Sequence, residues 1–301
     1  MEHKIVSDEK ECKRLWNKFS PNKTLWDIWE VMQCLREDGL YKFHFIVILD
    51  HGKEKGLVPL WIDKKLDKAF FVGDINTENI SFWADPALFE DIVKIIPKPA
   101  LFYDLNHEFV NEVIKSNARC KKYFKQDDFR YYIDLEKHKG DANNFLKTFS
   151  KKHRKNLLYD LRQLEKLDYK IIWEKMQHYD DFVKLSQKKF GKESDFSKKD
   201  TIEQMRIFLN YLAKKDMLYV STIIIDRKIA AVGLGAFYNG IYYLINESFD
   251  PEIRNLGKLI NMTHIRKAAE LKAKQIDFMS SDTGWKELWK LDKDPYYTVR
   301  L

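Results

Sequence analysis

The sequence predicts an α+β protein built from two similar lobes in tandem. Two hairpins of apolar strands with charged turns, at 43–62 and 220–237, are each preceded by helical segments and followed by a further strand and helix. Residues 140–144, Gly-Asp-Ala-Asn-Asn, have the composition of a joint between lobes. We therefore expect an N-terminal lobe at 1–140 and a C-terminal lobe at 141–301, each with a mixed, mostly antiparallel sheet flanked by helices.

The elements of the N-terminal lobe are assigned from apolar runs and cap residues. Residues 1–39 have the pattern of helices, with Trp16 and Trp29 among their apolar anchors. Asp85 is a favoured N-cap residue, so a helix is predicted to begin at Pro86. The predicted strands are 43–49, 57–62, 69–72, 101–105 and 129–135, and the predicted helices are 86–96 and 108–116.

The C-terminal lobe begins with a basic amphipathic helix at 145–167. Its Leu157, Leu161 and Leu164 recur three or four residues apart and mark the buried face. The basic cluster at 151–155 is either a solvated helix start or a phosphate contact, and the sequence leaves both open. A strand is predicted at 169–173, followed by two helices at 179–190 and 199–214. A meander of strands then occupies 218–225, 229–237 and 241–249.

A strand, an irregular loop and a helix within 241–279 together predict an anion-binding site. Pro251 ends the strand, because its ring fixes its own backbone and restricts the residue before it. The helix is predicted to begin near Lys258, and its first amides lie at the positive end of the dipole without intrahelical acceptors. A plain solvated helix start is the alternative. The apolar face of this helix is Leu259, Met262, Ile265 and Ala269, and a short strand follows at 276–279. The candidate anion contacts are Arg254, Asn255, Leu256, Gly257 and Lys258.

The composition favours a folded, basic protein that binds anionic ligands. The 301 residues are 45% apolar and 14% aromatic, which suffices for a packed core and argues against disorder. The formal charge is +7, with Lys and Arg spread through the chain. Such a spread is usually a solvated surface, and it still favours nucleotides, CoA or nucleic acid as ligands.

Cysteine usage and the absence of long apolar runs bear on the compartment. Cys12, Cys34 and Cys120 are far apart and odd in number, which suits a reducing compartment. The N-terminal residues are charged where a secretory signal needs an apolar core, and no apolar run approaches the ~18 residues of a membrane span. We therefore expect a cytoplasmic protein without a membrane span. No His or Cys spacing suggests a metal site, and the oligomeric state is left open.

Six short motifs follow one another in a fixed order over about half of the chain. They are Ser150-Lys151-Lys152-His153-Arg154-Lys155-Asn156, Ala230-Ala231-Val232-Gly233, Asp250-Pro251-Glu252, Gly257, Asp277-Phe278 and Gly284-Trp285-Lys286-Glu287-Leu288-Trp289. In this order and spacing they resemble the GNAT acyltransferase superfamily, and most closely its double-GNAT branch with the CelD-like proteins and the FemABX ligases. The resemblance implies two tandem GNAT-like lobes. The first lobe lacks the Arg-x-x-Gly loop, so it is expected to be degenerate.

The resemblance also implies a reaction and the residues for it. An amine or hydroxyl of a small molecule or cell-envelope precursor attacks the carbonyl of an acyl-CoA, most simply acetyl-CoA. Lys286 matches the lysine that FemABX-like ligases place beside the reacting carbonyl, and Glu247 is the expected proton acceptor. Asn246 and Glu247 alternate across their strand, so only one is expected to face the cleft. Trp285 and Tyr243 are assigned to substrate binding. A surface side chain is the alternative for Glu247 and for Lys286.

Two departures from the family pattern leave other functions open. The glycine-rich phosphate loop is reduced to Asn255-Leu256-Gly257, and Trp285 stands where Tyr or Phe is commoner. An aminoacyl-tRNA is the alternative donor, although the long heptad arm of FemA-type ligases is missing. A non-catalytic module that holds nucleic acid or an acidic partner is the alternative from another class, and it would bind with a steep salt dependence.

Overall fold

The computed structural model describes residues 1–36, 39–73, 77–282 and 284–301. Two of the residues predicted as helical, 37–38, lie outside this described part. The chain forms two compact units, Met1–Arg130 with Lys293–Leu301 and Tyr131–Asp292. Each unit has a mixed, mostly antiparallel sheet flanked by helices, which confirms the predicted α+β class. Within the described residues, no helix is both long and apolar enough to cross a membrane.

The strands and helices are numbered here in chain order. The strands are β1 (Glu2–Val6), β2 (Tyr41–Asp50), β3 (Lys53–Asp63), β4 (Lys68–Phe71), β5 (Ala100–Asn106), β6 (Phe124–Asp134), β7 (Tyr169–Glu174), β8 (Leu218–Ile225), β9 (Lys228–Tyr238), β10 (Ile241–Phe249), β11 (Gln275–Asp277) and β12 (Asp292–Arg300). The α-helices are α1 (Glu9–Phe19), α2 (Trp29–Cys34), α3 (Phe89–Ile95), α4 (His107–Ser116), α5 (Ala142–Lys147), α6 (Lys151–Leu164), α7 (Tyr179–Phe190), α8 (Lys199–Lys214) and α9 (Leu256–Glu270).

The first unit contains strands in the order β1-β2-β3-β4-β5-β12, antiparallel except for the β4–β5 pair. Its core packs one sheet face against α3 and α4, with Ile46, Leu60 and Phe102 almost completely buried. The prediction of helices over 1–39 is wrong at its start, where Glu2–Val6 form strand β1. Their Glu-His-Lys-Ile-Val sequence has no apolar alternation, and the strand is held by backbone pairing with β2.

The predicted lobe boundary at 140/141 differs from the division into compact units. The end of β6 pairs with β11, from Gln275 opposite Asp134 to Asp277 opposite Tyr132, so residues 131–140 belong to the second unit. Strand β12 was not predicted, and it pairs with β5 in the first unit. Both pairings join segments that are more than 100 residues apart, which local sequence patterns do not reveal.

The second unit contains strands in the order β11-β10-β9-β8-β7, with the end of β6 beside β11. The single predicted helix at 145–167 is two helices, α5 and α6, because the Ser150 hydroxyl accepts from the His153 amide and begins a new helix. The predicted burial of Leu157, Leu161 and Leu164 is confirmed. Helix α9 packs against β9 and β10, and it begins at Leu256, two residues earlier than predicted.

Helix α9 is buried nearly all round, not along one face. A polar cluster fixes it to the sheet: His264 Nε2 lies 2.8 Å from Ser221 Oγ, and His264 Nδ1 lies 2.7 Å from the Tyr242 hydroxyl. Burial, with Lys267 nearby, lowers the pKa of His264 to about 3, so the ring stays neutral. A Cβ at Gly233 would come 2.3 Å from His264 Nε2, and only glycine leaves room for the ring. These contacts hold the middle of α9 against β8, β9 and β10.

Candidate functional site

A cavity of about 970 Å³ lies within the second unit. Its walls come from α6, the end of α7, the second half of β10, the first two turns of α9 and the segment after β11. The volume is at the upper end of the roughly 300–1,000 Å³ usual for small-molecule sites. The sequence-predicted residues that line it are Glu247, Asn255, Gly257, Lys258, Trp285 and Lys286.

A bulge in β10 shapes one wall of the cavity. Leu244 pairs with Gly235 and Asn246 with Leu234, so Ile245 has no opposite residue in the register. An extra residue of this kind bends a strand and redirects its side chains. Asn246 and Glu247 are both among the residues that line the cavity, and the expectation that only one of the two side chains faces it stays a prediction. Beyond the bulge, Asn246 and Glu247 pair with successive residues, Leu234 and Gly233, so their side chains still alternate across the strand.

Glu247 carries the most perturbed carboxyl group of the cavity. Its Oε2 atom is buried and accepts no hydrogen bond from the described residues. Burial raises the pKa of Glu247 to about 7, against the opposing effect of Lys189 and Lys286. A carboxyl group with this pKa exchanges a proton near neutral pH, as a general base requires.

Lys286 is buried, with 4% of its surface exposed, although the sequence alternative was a surface lysine. Its ammonium group donates to the carbonyl oxygens of Met279 (3.1 Å) and Ser280, which follow β11. It also lies 5.0 Å from the centroid of the Tyr131 ring. These contacts hold a positive charge at the edge of the cavity.

The start of α9 forms the neighbouring wall. Asn255 adopts a left-handed backbone conformation (φ 68°), and Leu256 and Gly257 begin the helix. The first turn has no acidic side chain within the described residues 256–259, which leaves the positive end of the dipole available to an anion. The Lys258 ammonium lies 2.6 Å from Asp160 Oδ2, so this charge is already paired. Arg254 is exposed and is not part of the cavity wall, and the Leu256 side chain is buried.

Gly257 has a packing role that the sequence did not reveal. A Cβ placed there would lie 3.1 and 3.2 Å from two ring carbons of Phe249 and 3.7 Å from Glu247 Oε1. The missing side chain therefore lets the helix start approach the Phe249 ring. The sequence interpretation, in which the glycine admits a phosphate, stays a prediction beside this second reason.

The two residues assigned to substrate binding lie in different environments. Trp285 lines the cavity, with its ring 5.8 Å from that of Phe278 in an edge-to-face arrangement. Tyr243 is 1% exposed and is not part of the cavity wall. Trp289 is also buried and lies edge-on to Phe149, which agrees with a packing role.

Sequence reasoning missed several polar residues of the cavity wall, among them Lys189 and Asn261. Lys189, at the end of α7, is half-buried, and its ammonium lies 3.8 Å from the centroid of the Phe249 ring. Burial lowers the pKa of Lys189, and Glu247 opposes that shift. Asn261, on the second turn of α9, is 3% exposed, and its Oδ1 has no hydrogen-bond partner among the described residues. A polar residue within the apolar run of α9 was the available signal for Asn261, whereas nothing distinguished Lys189 from its neighbour Lys188.

A comparison with family models matches residues 151–287 to the acetyltransferase (GNAT) domain. The matched segment contains α6, the β7–β11 meander, α9 and Lys286, and so includes most of the cavity wall. No protein with a curated description matches the sequence.

Solved structures share the fold of the chain at low sequence identity. FemX matches with a TM-score of 0.63 at 12% identity, over 100% of this chain and 98% of that chain. L-PGS from Bacillus licheniformis matches with a TM-score of 0.58 at 12% identity, over 98% and 92%. A tandem GNAT protein from the clavulanic acid biosynthesis pathway matches with a TM-score of 0.56 at 8% identity, over 99% and 98%. The tandem GNAT-like fold expected from the motifs is therefore confirmed.

Proposed function

We propose that the chain is a GNAT-type acyltransferase whose donor is an acyl-CoA, in the first place acetyl-CoA, because residues 151–287 match the acetyltransferase (GNAT) domain. The acceptor is an amine or hydroxyl of a small molecule or cell-envelope precursor. The observation that carries this proposal is the cavity in which Glu247, Lys286 and the first turn of α9 meet. Proton acceptor, positive charge and anion site are the three groups that acyl transfer from a thioester needs.

Each group has one task in the proposed reaction. The nucleophile gives its proton to Glu247 Oε2 and forms a bond to the thioester carbonyl carbon. The carbonyl oxygen becomes an oxyanion, which the Lys286 ammonium stabilises through its fixed position beside Met279 and Ser280. The carbon–sulfur bond then breaks, and CoA leaves as a thiol or thiolate. The amides of Leu256 and Gly257 hold the donor pyrophosphate at the helix start.

A thermal-shift screen tests the choice of donor. We expect CoA and acetyl-CoA to raise the unfolding temperature in proportion to their affinity, because a ligand that binds only the folded state stabilises it. Longer acyl-CoAs and aminoacyl-tRNA are measured in parallel. Stabilisation by aminoacyl-tRNA without any stabilisation by CoA would contradict the acyl-CoA donor.

A specific observation favours aminoacyl-tRNA as the second candidate donor. Lys151, Lys152 and Lys155 at the start of α6 are exposed, and none forms an ion pair with a described residue. Phosphate contacts made by such a cluster would give tRNA binding a steep dependence on salt. Replacing the three lysines together by Gln should abolish tRNA binding and leave CoA binding intact if tRNA is the donor.

The proposed compartment is the cytoplasm. Cys12, Cys34 and Cys120 are free thiols in the structure, and burial raises the pKa of Cys12 to about 12 and of Cys34 to about 11. Thiols of this kind suit a reducing compartment.

A further inference from the structure

A second cavity, of about 340 Å³, lies between helices α6 and α9 of the second unit. Its wall also includes Tyr169, at the start of β7. Among the described residues, none lines both this α6–α9 cavity and the larger one. The ion pair of Asp160 with Lys258 joins α6 to α9, and both of its members line the larger cavity. The α6–α9 cavity is therefore separate from the space proposed for acyl transfer.

The floor of the α6–α9 cavity is apolar. Leu161, Leu259 and Met262 line it, and all three are buried. Leu158 also lines it and is 38% exposed, so the apolar surface continues towards solvent. The flexible thioether of Met262 can adapt to the shape of a bound group. Because the volume is at the lower end of the roughly 300–1,000 Å³ usual for small-molecule sites, the cavity suits a compact apolar group.

Two guanidinium groups belong to the wall of the same cavity. Arg162 on α6 and Arg266 on α9 both line it, and neither forms an ion pair with a described residue. The Nε atom of Arg162 donates to the Leu158 carbonyl oxygen at 3.2 Å, which leaves its two terminal nitrogens for a ligand. Arginine binds carboxylates through paired N–H donors in a planar fork. The two arginines therefore provide an anion subsite.

A carboxylate, Glu165, also lines the α6–α9 cavity. It directly follows α6 and lies three positions after Arg162, yet within the described part of the chain no ion pair joins it to Arg162 or to another cation. The end of a helix carries the negative end of the dipole, which disfavours a carboxylate there and favours a cation. A cationic group of a ligand would offset both negative charges. Glu165 therefore provides a cation subsite.

One class of small molecule has a group for each of these three surfaces. An α-amino acid carries a carboxylate and an ammonium group on the same carbon at neutral pH, together with a side chain. A simple carboxylic acid would bring a second negative charge to Glu165, and an alkylamine would bring a third cation to the two arginines. A polar side chain would lose its hydrogen bonds with water on the apolar floor.

We propose that the α6–α9 cavity binds a free α-amino acid with an apolar side chain. The carboxylate lies between Arg162 and Arg266, the ammonium group meets Glu165, and the side chain packs on Leu259 and Met262. This ligand is additional to the donor and the acceptor of the proposed acyl transfer, and its binding involves no covalent step. Because Leu259 and Met262 belong to the first two turns of α9, it contacts the helix whose start is proposed to hold the donor.

Calorimetry on the full chain with four probes tests the ligand class. L-phenylalanine has all three groups, whereas 3-phenylpropionate lacks the ammonium, phenethylamine lacks the carboxylate and L-alanine lacks a large side chain. We expect L-phenylalanine to bind at least tenfold more tightly than each of the others, because only L-phenylalanine meets both charged subsites and the apolar floor. Equal affinity for any one of the other three would overturn the amino-acid assignment, and so would a lack of binding by L-phenylalanine.

Two variants locate the charged groups of the ligand. Arg266→Gln should weaken L-phenylalanine at least tenfold without weakening phenethylamine, which has no carboxylate. Glu165→Gln should weaken L-phenylalanine without weakening 3-phenylpropionate, which has no ammonium group. Arg227→Gln is the matched control, because Arg227 is exposed in the same unit and outside the cavity wall. Since Arg266 and Glu165 are exposed, neither variant should change the unfolding temperature.

The results for this site and for the acyl-CoA donor are separable. Affinity for L-phenylalanine that survives both Arg266→Gln and Glu165→Gln would place the amino acid elsewhere and overturn the site. If CoA stabilises the chain and L-phenylalanine does not bind, this inference is wrong and the donor stands. If L-phenylalanine binds as expected and neither CoA nor acetyl-CoA does, the donor is wrong while the amino-acid site stands.

Discussion

Lys286 has a structural role in addition to its proposed chemical role. Its ammonium donates to two main-chain carbonyls, at Met279 and Ser280, and Met279 has a left-handed backbone (φ 64°) that these contacts help to hold. The same charge faces the cavity in which the reacting carbonyl would lie. Removal of this side chain therefore has two separable effects.

We expect Lys286→Met to lower turnover by about 10²–10³ while donor affinity changes little, because the charge acts on the transition state. It should also lower stability by about 2 kcal/mol, since two charge-assisted hydrogen bonds are lost. Lys290→Met, at an exposed lysine four residues later, is the control for both effects. Lys286→Arg should not restore turnover, because a planar guanidinium directs its donors differently. Near-normal turnover in Lys286→Met would leave this lysine a purely structural role.

The protonation of Glu247 gives the reaction a pH dependence with a defined sign. Its pKa is raised to about 7, and the deprotonated carboxylate is the form that accepts a proton. We expect kcat/KM to rise with pH up to about 7 and then to level off. In Glu247→Gln this rising limb of the pH profile should disappear. A pH–rate profile of each protein measures it.

Lys189 provides an independent check on this assignment. Its positive charge lowers the pKa of Glu247, so Lys189→Met should shift the rising limb to higher pH. Lys188→Met is the matched control, because the neighbouring lysine is exposed and pairs with Asp250. A limb that stays in place in Lys189→Met would mean that another group titrates.

At the start of helix α9, Gly257 packs against a neighbouring ring and also lies where CoA is proposed to bind. At Gly257 the helix meets the Phe249 ring, which also contacts the Lys189 ammonium. Gly257→Ala should weaken CoA binding and lower the unfolding temperature together, because the added Cβ comes within 3.1–3.2 Å of the ring.

A double variant separates the two roles of the glycine. Gly257→Ala with Phe249→Leu makes room for the Cβ, and Phe249→Leu alone is the reference. Recovery of CoA affinity in the double variant would assign the glycine to packing against the ring. Affinity that stays low while stability recovers would assign it to the approach of the phosphate. Calorimetry with CoA and thermal unfolding measure both quantities.

Elements held by local patterns were predictable, and those held by distant partners were not. Helices α7 and α8 and strands β8 and β10 have the predicted bounds, because periodicity and turn residues act within each segment. The bulge at Ile245 and the contacts of Lys189 depend on residues from other strands and helices. Glu247 and Lys286, both predicted as site residues, do line one cavity. Their positions relative to Asn261 and Lys189 could not be predicted from the sequence, because they depend on the tertiary structure.

At the scale of the whole molecule, the cavity is built entirely from the second unit. We expect a fragment of residues 131–292 to keep CoA affinity if it folds. A fragment beginning at Gly140 should be less stable, because it lacks residues 131–134, which pair with β11, and the Tyr131 ring beside Lys286. Thermal unfolding and calorimetry compare the two. A folded 131–292 fragment without CoA affinity would contradict the assignment of the donor site to this unit.

The position of β12 in the chain has a consequence for protein synthesis. This strand pairs with β5, yet the ribosome makes it after the whole of the second unit. During translation, one edge of β5 therefore stays unpaired while more than 150 intervening residues are synthesised. An unpaired strand edge can attract other chains, so the nascent protein is most vulnerable to aggregation in the half that lacks the cavity.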